Sequence, residues 1–363
     1  MPGPLSGLRV LELAGLGPGP FCAMLLADLG ADVVRVDRDG RPTSPVDPAY
    51  DLLNRGKRSI ALDLKDPADL ATALRLVDKA DVLIEGYRPG VAERLGIGPD
   101  VCLARRPQLV YGRMTGWGQQ GPRAQTAGHD LTYLATAGVL HGIGRAGGPP
   151  QIPLNLLGDF GGGALYLATG LLAAVWEAGR SGRGQVVDAA IVDGAAHLNT
   201  MAWGLLANGA WRDERGVNLL DSGAPFYDVY ETADGGHMAV GPLERQFFAE
   251  FLARMRLPEL ADAQYDVERW PELREHLKTA FGGRTREEWT AIFADGDACV
   301  APVLSMREAA LDPHLAARQT YVVRDGMTQP APAPRFSRTP AELSRPPAVP
   351  GEHTAEILSD WLD

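Results

Sequence analysis

The sequence predicts an α/β fold, with a parallel sheet covered by helices and a second, smaller α+β domain. In the N-terminal third of the chain, short runs rich in Val, Ile and Leu alternate with segments whose apolar residues recur at helical spacing. Glycine (43 residues) and proline (28 residues) are too frequent for a helical bundle, because both weaken helix interiors. The 363 residues suffice for a large buried core. Together these observations favour a Rossmann-like, doubly wound layer.

The elements of this layer follow one another in βαβ order. Ligands of such sheets bind at the carboxyl ends of the strands, so a site is expected in the loops that follow them. Strands are predicted at 8–13, 32–36, 59–62, 81–85, 109–113 and 185–188, and helices at 21–29, 67–79 and 99–105.

The second domain is indicated between residues 225 and 320. Two strand-like runs flank Ala233-Asp234-Gly235-Gly236, which is a hairpin signal. Thr285 followed by Glu288 is a capping box that opens a helix. The tail after Gln329 is too rich in proline for a helix, so we expect an extended strap before a short terminal helix. A disordered linker is the alternative.

Composition excludes several classes of function. The formal net charge of −11 argues against binding to nucleic acid or to an anionic membrane surface. The apolar stretch 160–176 is shorter than the roughly 20 residues of a membrane span, so a buried helix is predicted there. The cysteines are few and scattered, no signal peptide or peroxisomal address is recognisable, and we expect a cytoplasmic protein. No histidine pair has metal-ligand spacing, and no Gly-x-Ser-x-Gly motif is present.

One motif resembles a dinucleotide-binding fingerprint. Gly15-Leu16-Gly17-Pro18-Gly19-Pro20 follows a predicted strand, and Asp37 lies at the end of the next one. Pro18 and Pro20 lack the backbone N–H groups that a phosphate cradle would use. An NAD-dependent oxidoreductase is therefore only the third candidate. A tight turn with proline at the start of a helix is the structural alternative.

Basic residues recur after successive predicted strands. Such a set suggests that one face binds an anion, for example a phosphorylated cofactor, whereas solvated surface charge is the alternative. The residues are Arg35, Arg38, Arg55, Lys57, Arg58, Lys65, Arg88 and Arg94.

Two acid/base candidates stand next to glycines. Asp159 lies in the run Gly158–Gly163, where helix N-capping is the structural alternative. For His129 the alternative is a satisfied buried or capping histidine. The glycines at 161–163 are poor helix formers, but they expose backbone N–H groups and allow a ligand to approach closely.

Several separate blocks of the sequence resemble the family III CoA transferases. Residues 128–133 (GHDLTY) and 158–163 (GDFGGG) resemble the α-methylacyl-CoA racemase branch of that superfamily. The resemblance covers almost the whole chain and is weakest around 39–50, 142–151 and 261–268. The blocks shared with the wider superfamily are residues 4–13 (PLSGLRVLEL), 28–33 (DLGADV), 116–122 (GWGQQGP) and 184–188 (GQVVD).

The resemblance implies an interlocked homodimer, with each active site between the large domain of one subunit and the small domain of the other. It also implies that the C-terminal tail completes the large domain. The implied divisions are 1–190 with 330–363 for the large, Rossmann-like, CoA-binding domain, 191–224 for a linker helix, 225–320 for the small domain and 321–329 for a return linker.

By position, the resemblance implies that His129 and Asp159 are the catalytic acid/base residues. Glu244 would be the carboxylate that orients His129, supplied by the partner chain. We expect the backbone N–H groups of Asp159 and Phe160 to hold the enolate oxygen. The implied CoA-binding residues are Arg38, Leu62, Asp63, Leu64, Lys65, Gly86, Tyr87, Arg88, Arg94, Gly128, His129, Asp130, Leu131, Thr132 and Tyr133.

The activity implied is the interconversion of (2R)- and (2S)-2-methylacyl-CoA thioesters. This reaction removes the α proton from one face and returns a proton to the other, so it needs two opposed acid/base groups. It needs no cofactor beyond the CoA of the substrate itself. CoA transfer with Asp159 as nucleophile is the alternative within the same superfamily. The presence of His129 and Glu244 favours proton transfer.

Overall fold

The computed structural model describes residues 3–38 and 46–363, and a six-stranded, wholly parallel sheet forms its centre. The strands are β1 (Arg9–Leu13), β2 (Asp32–Asp37), β3 (Arg58–Ala61), β4 (Val82–Glu85), β5 (Val110–Thr115) and β6 (Val186–Ala190). Their order, β3-β2-β1-β4-β5-β6, is that of doubly wound dinucleotide-binding folds, with the switch point between β1 and β4. The predicted Rossmann-like sheet is confirmed.

Helices cover both faces of the sheet, which explains why its strands are continuous apolar runs. Successive residues of a strand point to opposite faces. Val10 therefore packs into the cluster that contains Leu167, and Leu11 into the cluster that contains Leu76. The helices of this part of the chain are α1 (Pro18–Asp28), α2 (Pro67–Val77), α3 (Val91–Arg94), α4 (Pro99–Arg105), α5 (Asp130–Thr136), a π-helix (Leu156–Ala164), α6 (Leu165–Ser181) and α7 (Ile191–Leu198).

The π-helix and α6 form one apolar stretch, Leu156–Ser181, which by length and composition alone is sufficient to cross a membrane. The core helix of a soluble protein satisfies the same criteria. Leu167, Leu171 and Ala174 are buried in the cluster on one face of the sheet, as predicted for a buried helix.

The contacts divide the chain into two units. The first holds the described residues up to Ala137 with Pro153–Asn199 and Gln319–Asp363, and the second holds Gly138–Ile152 and Thr200–Arg318. The second unit encloses an aromatic core in which the Phe251 ring packs on those of Phe281 and Phe293. Its elements are α8 (Thr200–Ala207), the antiparallel strands β7 (Asp228–Glu231), β8 (His237–Val240) and β9 (Val300–Pro302), and helices α9 (Arg245–Met255), α10 (Trp270–Phe281), α11 (Arg286–Phe293), α12 (Met306–Ala309) and α13 (Pro313–Ala317).

The first difference from the predicted boundaries is the segment 138–152, which groups with the second unit instead of the large domain. Arg145 forms an ion pair with the buried carboxylate of Asp228. Arg215 donates hydrogen bonds to the carbonyl oxygens of Gly148 (2.8 Å) and His141 (3.0 Å). Polar side chains far apart in sequence fix this segment, so its own pattern gave no sign of where it packs.

The second difference concerns the two predicted linkers. The linker helix of 191–224 is divided, because α7 packs on the π-helix of the first unit while α8 belongs to the second. The return linker of 321–329 is a hairpin of antiparallel strands, β10 (Tyr321–Arg324) and β11 (Met327–Pro330). It groups with the first unit, where the Gln329 side chain accepts a 2.9 Å hydrogen bond from Arg55 Nη1.

The proline-rich tail is an extended strap on the first unit, as predicted, and not a disordered linker. The backbone carbonyl oxygen of Arg345, in this strap, accepts a 2.9 Å hydrogen bond from Gly56 N. It leads into α14 (Thr354–Leu362), which buries Ile357 and Trp361 in the cluster on the second face of the sheet.

Candidate active site

The glycine/proline loop that follows β1 lies against Asp159. Gly17 is the N-cap of α1 with φ +68°, a conformation that favours glycine, and Pro18 is the first helical residue. A Cβ atom on Gly17 would stand 3.2 Å from Asp159 Oδ2. Beside it the Phe21 and Phe160 rings stack at 4.4 Å. The loop is therefore the predicted tight turn, and it forms one wall of a site around Asp159.

Asp159 lies inside the π-helix and does not cap it, because Asn155 occupies the N-cap position. The glycines that follow pack against α7: a Cβ on Gly162 would stand 2.7 Å from Ala195 N, and one on Gly163 3.0 Å from Ile191 Cγ1. N-capping by Asp159 is a wrong prediction, and Gly162 and Gly163 serve helix contact, whereas close ligand approach at half-buried Gly161 stays a prediction. Close contact between two helices is what requires small residues here.

The backbone N–H groups expected to hold an enolate oxygen are already occupied. Asp159 N donates a 2.6 Å hydrogen bond to Asp130 Oδ2. Phe160 N donates a 3.3 Å hydrogen bond to Asn155 O within the π-helix. Neither group is free to receive an oxyanion, so this prediction is wrong. The donors serve to attach the π-helix to α5 and to continue its own turn.

The Asp159 side chain is half-buried and carries a perturbed charge. Burial raises the pKa of its carboxyl group, and the negative charge of Asp130 raises it further. The Asn155 amide, 3.5 Å away, and His129 act in the opposite direction. The shift favours a carboxyl group that holds its proton closer to neutral pH, as acid/base chemistry requires.

His129 is the N-cap residue of α5, one position before Asp130. Its backbone N–H donates to Thr132 Oγ1 at 3.1 Å, and that hydroxyl donates back to His129 O at 2.8 Å. The residue is exposed, so it is not the buried histidine of the alternative interpretation, but its N-cap position confirms the capping histidine. Because Asp130 accepts from Asp159 N, the helix start that carries His129 is fastened directly to the backbone of Asp159.

Tyr133 connects Asp159 with the loop after β4. Its ring is buried edge-on against Trp117 (4.8 Å), in a space that a Cβ on Gly116 or Gly128 would fill. Burial and then the charge of Asp159 raise the pKa of Tyr133, while Arg88 lowers it. The tyrosine is thus within the electrostatic reach of both groups.

The structure divides the predicted basic set into two groups. Arg35, Arg55, Lys57 and Arg58 are buried and neutralised by Asp37 (2.7 Å), Asp28 (2.6 Å), Glu12 (2.7 Å) and Asp32 (2.7 Å), so they hold the fold together instead of binding an anion. Arg38, Lys65, Arg88 and Arg94 are exposed, and none forms an ion pair within residues 3–38 and 46–363.

The other implied CoA-binding residues follow β3, β4 and β5 on the carboxyl side of the sheet. The side chains of Leu62 and Leu64 are buried in the core, so only their backbone is able to meet a ligand. Asp63 Oδ1 accepts a 3.0 Å hydrogen bond from the backbone N–H of Lys65, which shapes the turn. Gly86, Leu131 and Thr132 are exposed, whereas Tyr87 is half-buried and its N–H donates to Glu85 Oε2 at 2.6 Å.

Glu244 belongs to the second unit, whereas His129 and Asp159 belong to the first. It is exposed at the N-cap of α9, and its charge contributes to the raised pKa of Cys299, after burial. The loop before it is held by Gln264 Nε2, which donates to the carbonyl oxygens of Pro242 (3.1 Å) and Leu243 (2.8 Å).

A doubly wound sheet with a half-buried carboxylate and a histidine beside the loop of its first strand is typical of α/β enzymes, whose ligands bind at the switch point. The sequence model of the family described as CoA-transferase family III matches residues 5–354. The chain belongs to CoA-transferase family III.

Three proteins are similar to this chain over nearly its whole length. The α-methylacyl-CoA racemase of Mus musculus is 47% identical over 362 residues, which are 98% of this chain and 93% of the relative. The human α-methylacyl-CoA racemase is 45% identical over 364 residues, with the same coverage. A solved CAIB/BAIF family protein from Brucella suis aligns with a TM-score of 0.85 at 27% identity, covering 99% of this chain and 100% of that one. These relatives give the oxidoreductase interpretation no support.

Proposed function

We propose that this protein is an isomerase that interconverts the (2R) and (2S) epimers of 2-methylacyl-CoA thioesters. The observation that carries the proposal is the pairing of Asp159, whose pKa is raised, with His129 on two elements joined through Asp130. The similarity to two α-methylacyl-CoA racemases over 98% of the chain supports the same activity.

The reaction moves one proton at the carbon next to the thioester. In one direction the Asp159 carboxylate takes the α proton, and the electrons of the broken C–H bond move to the thioester oxygen as an enolate. Protonated His129 then delivers a proton to the opposite face of the carbon. In the other direction the roles are reversed, and exchange with water resets the two groups. The thioester supplies the acidity, so no metal or redox cofactor takes part.

The exposed basic residues support a CoA ester as substrate. In this proposal Arg38, Lys65, Arg88 and Arg94 bind the phosphates, because these cations have no carboxylate partner within residues 3–38 and 46–363 and are available to an anionic ligand. Tyr133 lies within the electrostatic reach of both Arg88 and Asp159, which supports a CoA ester that is bound near Arg88 and reacts at Asp159.

We further propose that the active protein is a homodimer in which Glu244 of one chain acts on His129 of the other. The exposed helix α8 supports association, since Met201, Trp203 and Leu206 leave 61%, 62% and 37% of their surface exposed. Sedimentation tests this: we expect a dimer, with Trp203→Arg shifting it to monomer and lowering activity. A stable monomer with full activity would contradict a shared site.

CoA transfer remains the competing reaction, because the family takes its name from it. In that reaction the Asp159 carboxylate would attack the thioester carbon and expel the CoA thiolate, which leaves an acyl-aspartyl anhydride. The thiolate would then attack the Asp159 carbonyl and release the donor acid, and an acceptor carboxylate would react with the resulting enzyme thioester and leave with CoA. One epimer of a 2-methylacyl-CoA in D₂O, followed by NMR, separates the two. We expect deuterium at the α carbon together with formation of the other epimer. Absence of deuterium, with CoA moving to an added carboxylate, would replace racemisation by transfer.

A further inference from the structure

The Asp130 carboxylate joins the two elements that carry the acid/base pair. The residue is 7% exposed, and its Oδ2 accepts a 2.6 Å hydrogen bond from the backbone N–H of Asp159. Gly158 makes room for this contact, since a Cβ there would collide with Asp130 Oδ2. The side chain thus fixes the start of α5, and His129 with it, against the π-helix.

The second oxygen of Asp130 is not satisfied. Oδ1 is buried and has no hydrogen-bond partner in the described part of the chain. Buried carboxylates are normally paired with a cation, because an uncompensated charge in a protein interior is unfavourable. No such cation is paired with Asp130 within residues 3–38 and 46–363. A negative charge without a counter-ion therefore lies beside Asp159.

We propose that Asp130 is a positioning residue, which holds Asp159 next to His129 and uses its uncompensated charge to keep a proton on Asp159. The inference rests on the proposed racemase function. The resemblance implied only that this residue lies in the CoA-binding segment, whereas its side chain points away from solvent and into the acid/base pair.

The groups around Asp159 make this effect specific. Helix α5 presents Asp130, His129 and Tyr133 to it, and the π-helix itself presents the Asn155 amide. The start of α1 presents uncharged Gly17. Burial is the largest cause of the raised pKa of Asp159, and Asp130 is the second. A racemase benefits because a carboxyl group and an imidazole exchange roles best when their proton affinities approach each other.

Asp130→Asn separates charge from structure. An asparagine has the same shape and keeps an oxygen to accept from Asp159 N, but it has no charge. We expect kcat to fall about tenfold, less than the roughly 10²-fold or more that a general acid–base group itself contributes, because Asp159 and His129 both remain. The acidic limb of the pH profile of kcat/KM, which reports the coupled pair, should move to lower pH. Asp130→Ala, which also removes the acceptor, should lose about a hundredfold.

Asp188→Asn is the matched control, because that carboxylate also accepts from a backbone N–H, that of Gln119 at 3.2 Å, but has no role at Asp159. Its pH profile should equal that of the wild type. A wild-type acidic limb in a folded Asp130→Asn variant would overturn the inference and reduce Asp130 to a structural contact.

A ¹³C-carboxyl NMR titration of the wild-type protein covers the case in which Asp130→Asn does not fold. We expect the carboxyl resonances of Asp159 and Asp130 to report a coupled titration, in which each responds to the ionisation of the other, and independent single-step titrations would overturn the inference. This titration needs no turnover. A wild-type protein that neither epimerises nor deuterates its substrate would refute the proposed function, while the titration would still decide the role of Asp130.

Discussion

Two sets of carboxylates in the first unit differ in what lies opposite their oxygens. One set is paired with buried cations, as in Glu12 with Lys57 at 2.7 Å. The other set is Asp130 and Asp159, whose hydrogen-bond donors are a backbone N–H and an amide, with no buried cation paired to them among the residues that the structure describes. A cation fixes a carboxylate as part of the framework, whereas neutral donors leave it able to exchange a proton. The kind of group that is bound to a carboxylate therefore indicates whether the carboxylate is structural or takes part in proton transfer.

The largest effect is expected at the proposed acid/base pair of His129 and Asp159. His129→Ala and Asp159→Ala should each lower the epimerisation rate by about 10³-fold or more, since each removes one of the two proton-transfer groups. Binding of a CoA ester, measured by calorimetry, should change little because neither residue is one of the exposed basic residues proposed to bind the phosphates. Turnover like that of the wild type in either variant would show that the bases are assigned wrongly.

Lys57→Met breaks one of the buried ion pairs of the first set. This change leaves Glu12 buried without its cation, and it should lower the free energy of unfolding by about 3–5 kcal/mol. Lys57 also donates to Pro20 O at 3.0 Å, so the turn next to Asp159 should loosen and kcat should fall. Urea unfolding measures the loss. The double variant with Glu12→Gln should recover part of it, and failure to recover would mean that the pair is not what stabilises the fold.

Asp159→Asn should stabilise the fold while it abolishes activity. A carboxyl group with a raised pKa binds its proton more tightly when folded, so its contribution to stability falls as pH rises past the ordinary aspartate value. At neutral pH the folded protein bears the full penalty, and asparagine removes it. We expect a gain of about 1 kcal/mol, seen by thermal unfolding at pH 7 and absent near pH 3. Equal or lower stability at pH 7 would contradict a destabilising charge.

The smallest effect is expected for an exposed ion pair. Arg105 pairs with Asp78 on the surface of the first unit, and both side chains are more than a third exposed. Arg105→Ala should change the free energy of unfolding by less than about 1 kcal/mol and leave the pH profile of activity unchanged. A loss as large as that of Lys57→Met would show that burial does not distinguish the two kinds of ion pair.

The sheet was predictable because its strands are buried on both faces and therefore are plain apolar runs. Helix α4 was predicted at its observed bounds, since Pro99 occupies the first turn, where proline is tolerated. The hairpin of β10 and β11 was missed although Asp325-Gly326, both with positive φ, is a strong turn signal. That signal was available in the sequence.

Other features of the site were not predictable from the local pattern of residues in the sequence. Lys57 and Lys65 both follow predicted strand positions, but only the fold shows that the first is buried against Glu12 and the second exposed. The role of the Asp130 side chain depends on a contact with Asp159, 29 residues further along the chain. No local periodicity encodes such a contact, because tertiary packing creates it.

The π-helix has a consequence for chain length. An α-helix turns by about 100° per residue. The turn of a π-helix is wider, so it holds one more residue while the residues before and after it keep the faces they would have in an α-helix without that residue. Deleting one glycine from Gly161–Gly163 would let the segment rewind as an ordinary α-helix. Helix α6 would keep its buried face on the sheet, and Asp159 would keep its direction toward Gly17. The same rewinding without a deletion would turn the Asp159 side chain by about 100° around the helix axis and away from Gly17. The direction of the carboxylate therefore depends on the match between the width of the turn and the number of residues in it, as much as on the identity of those residues.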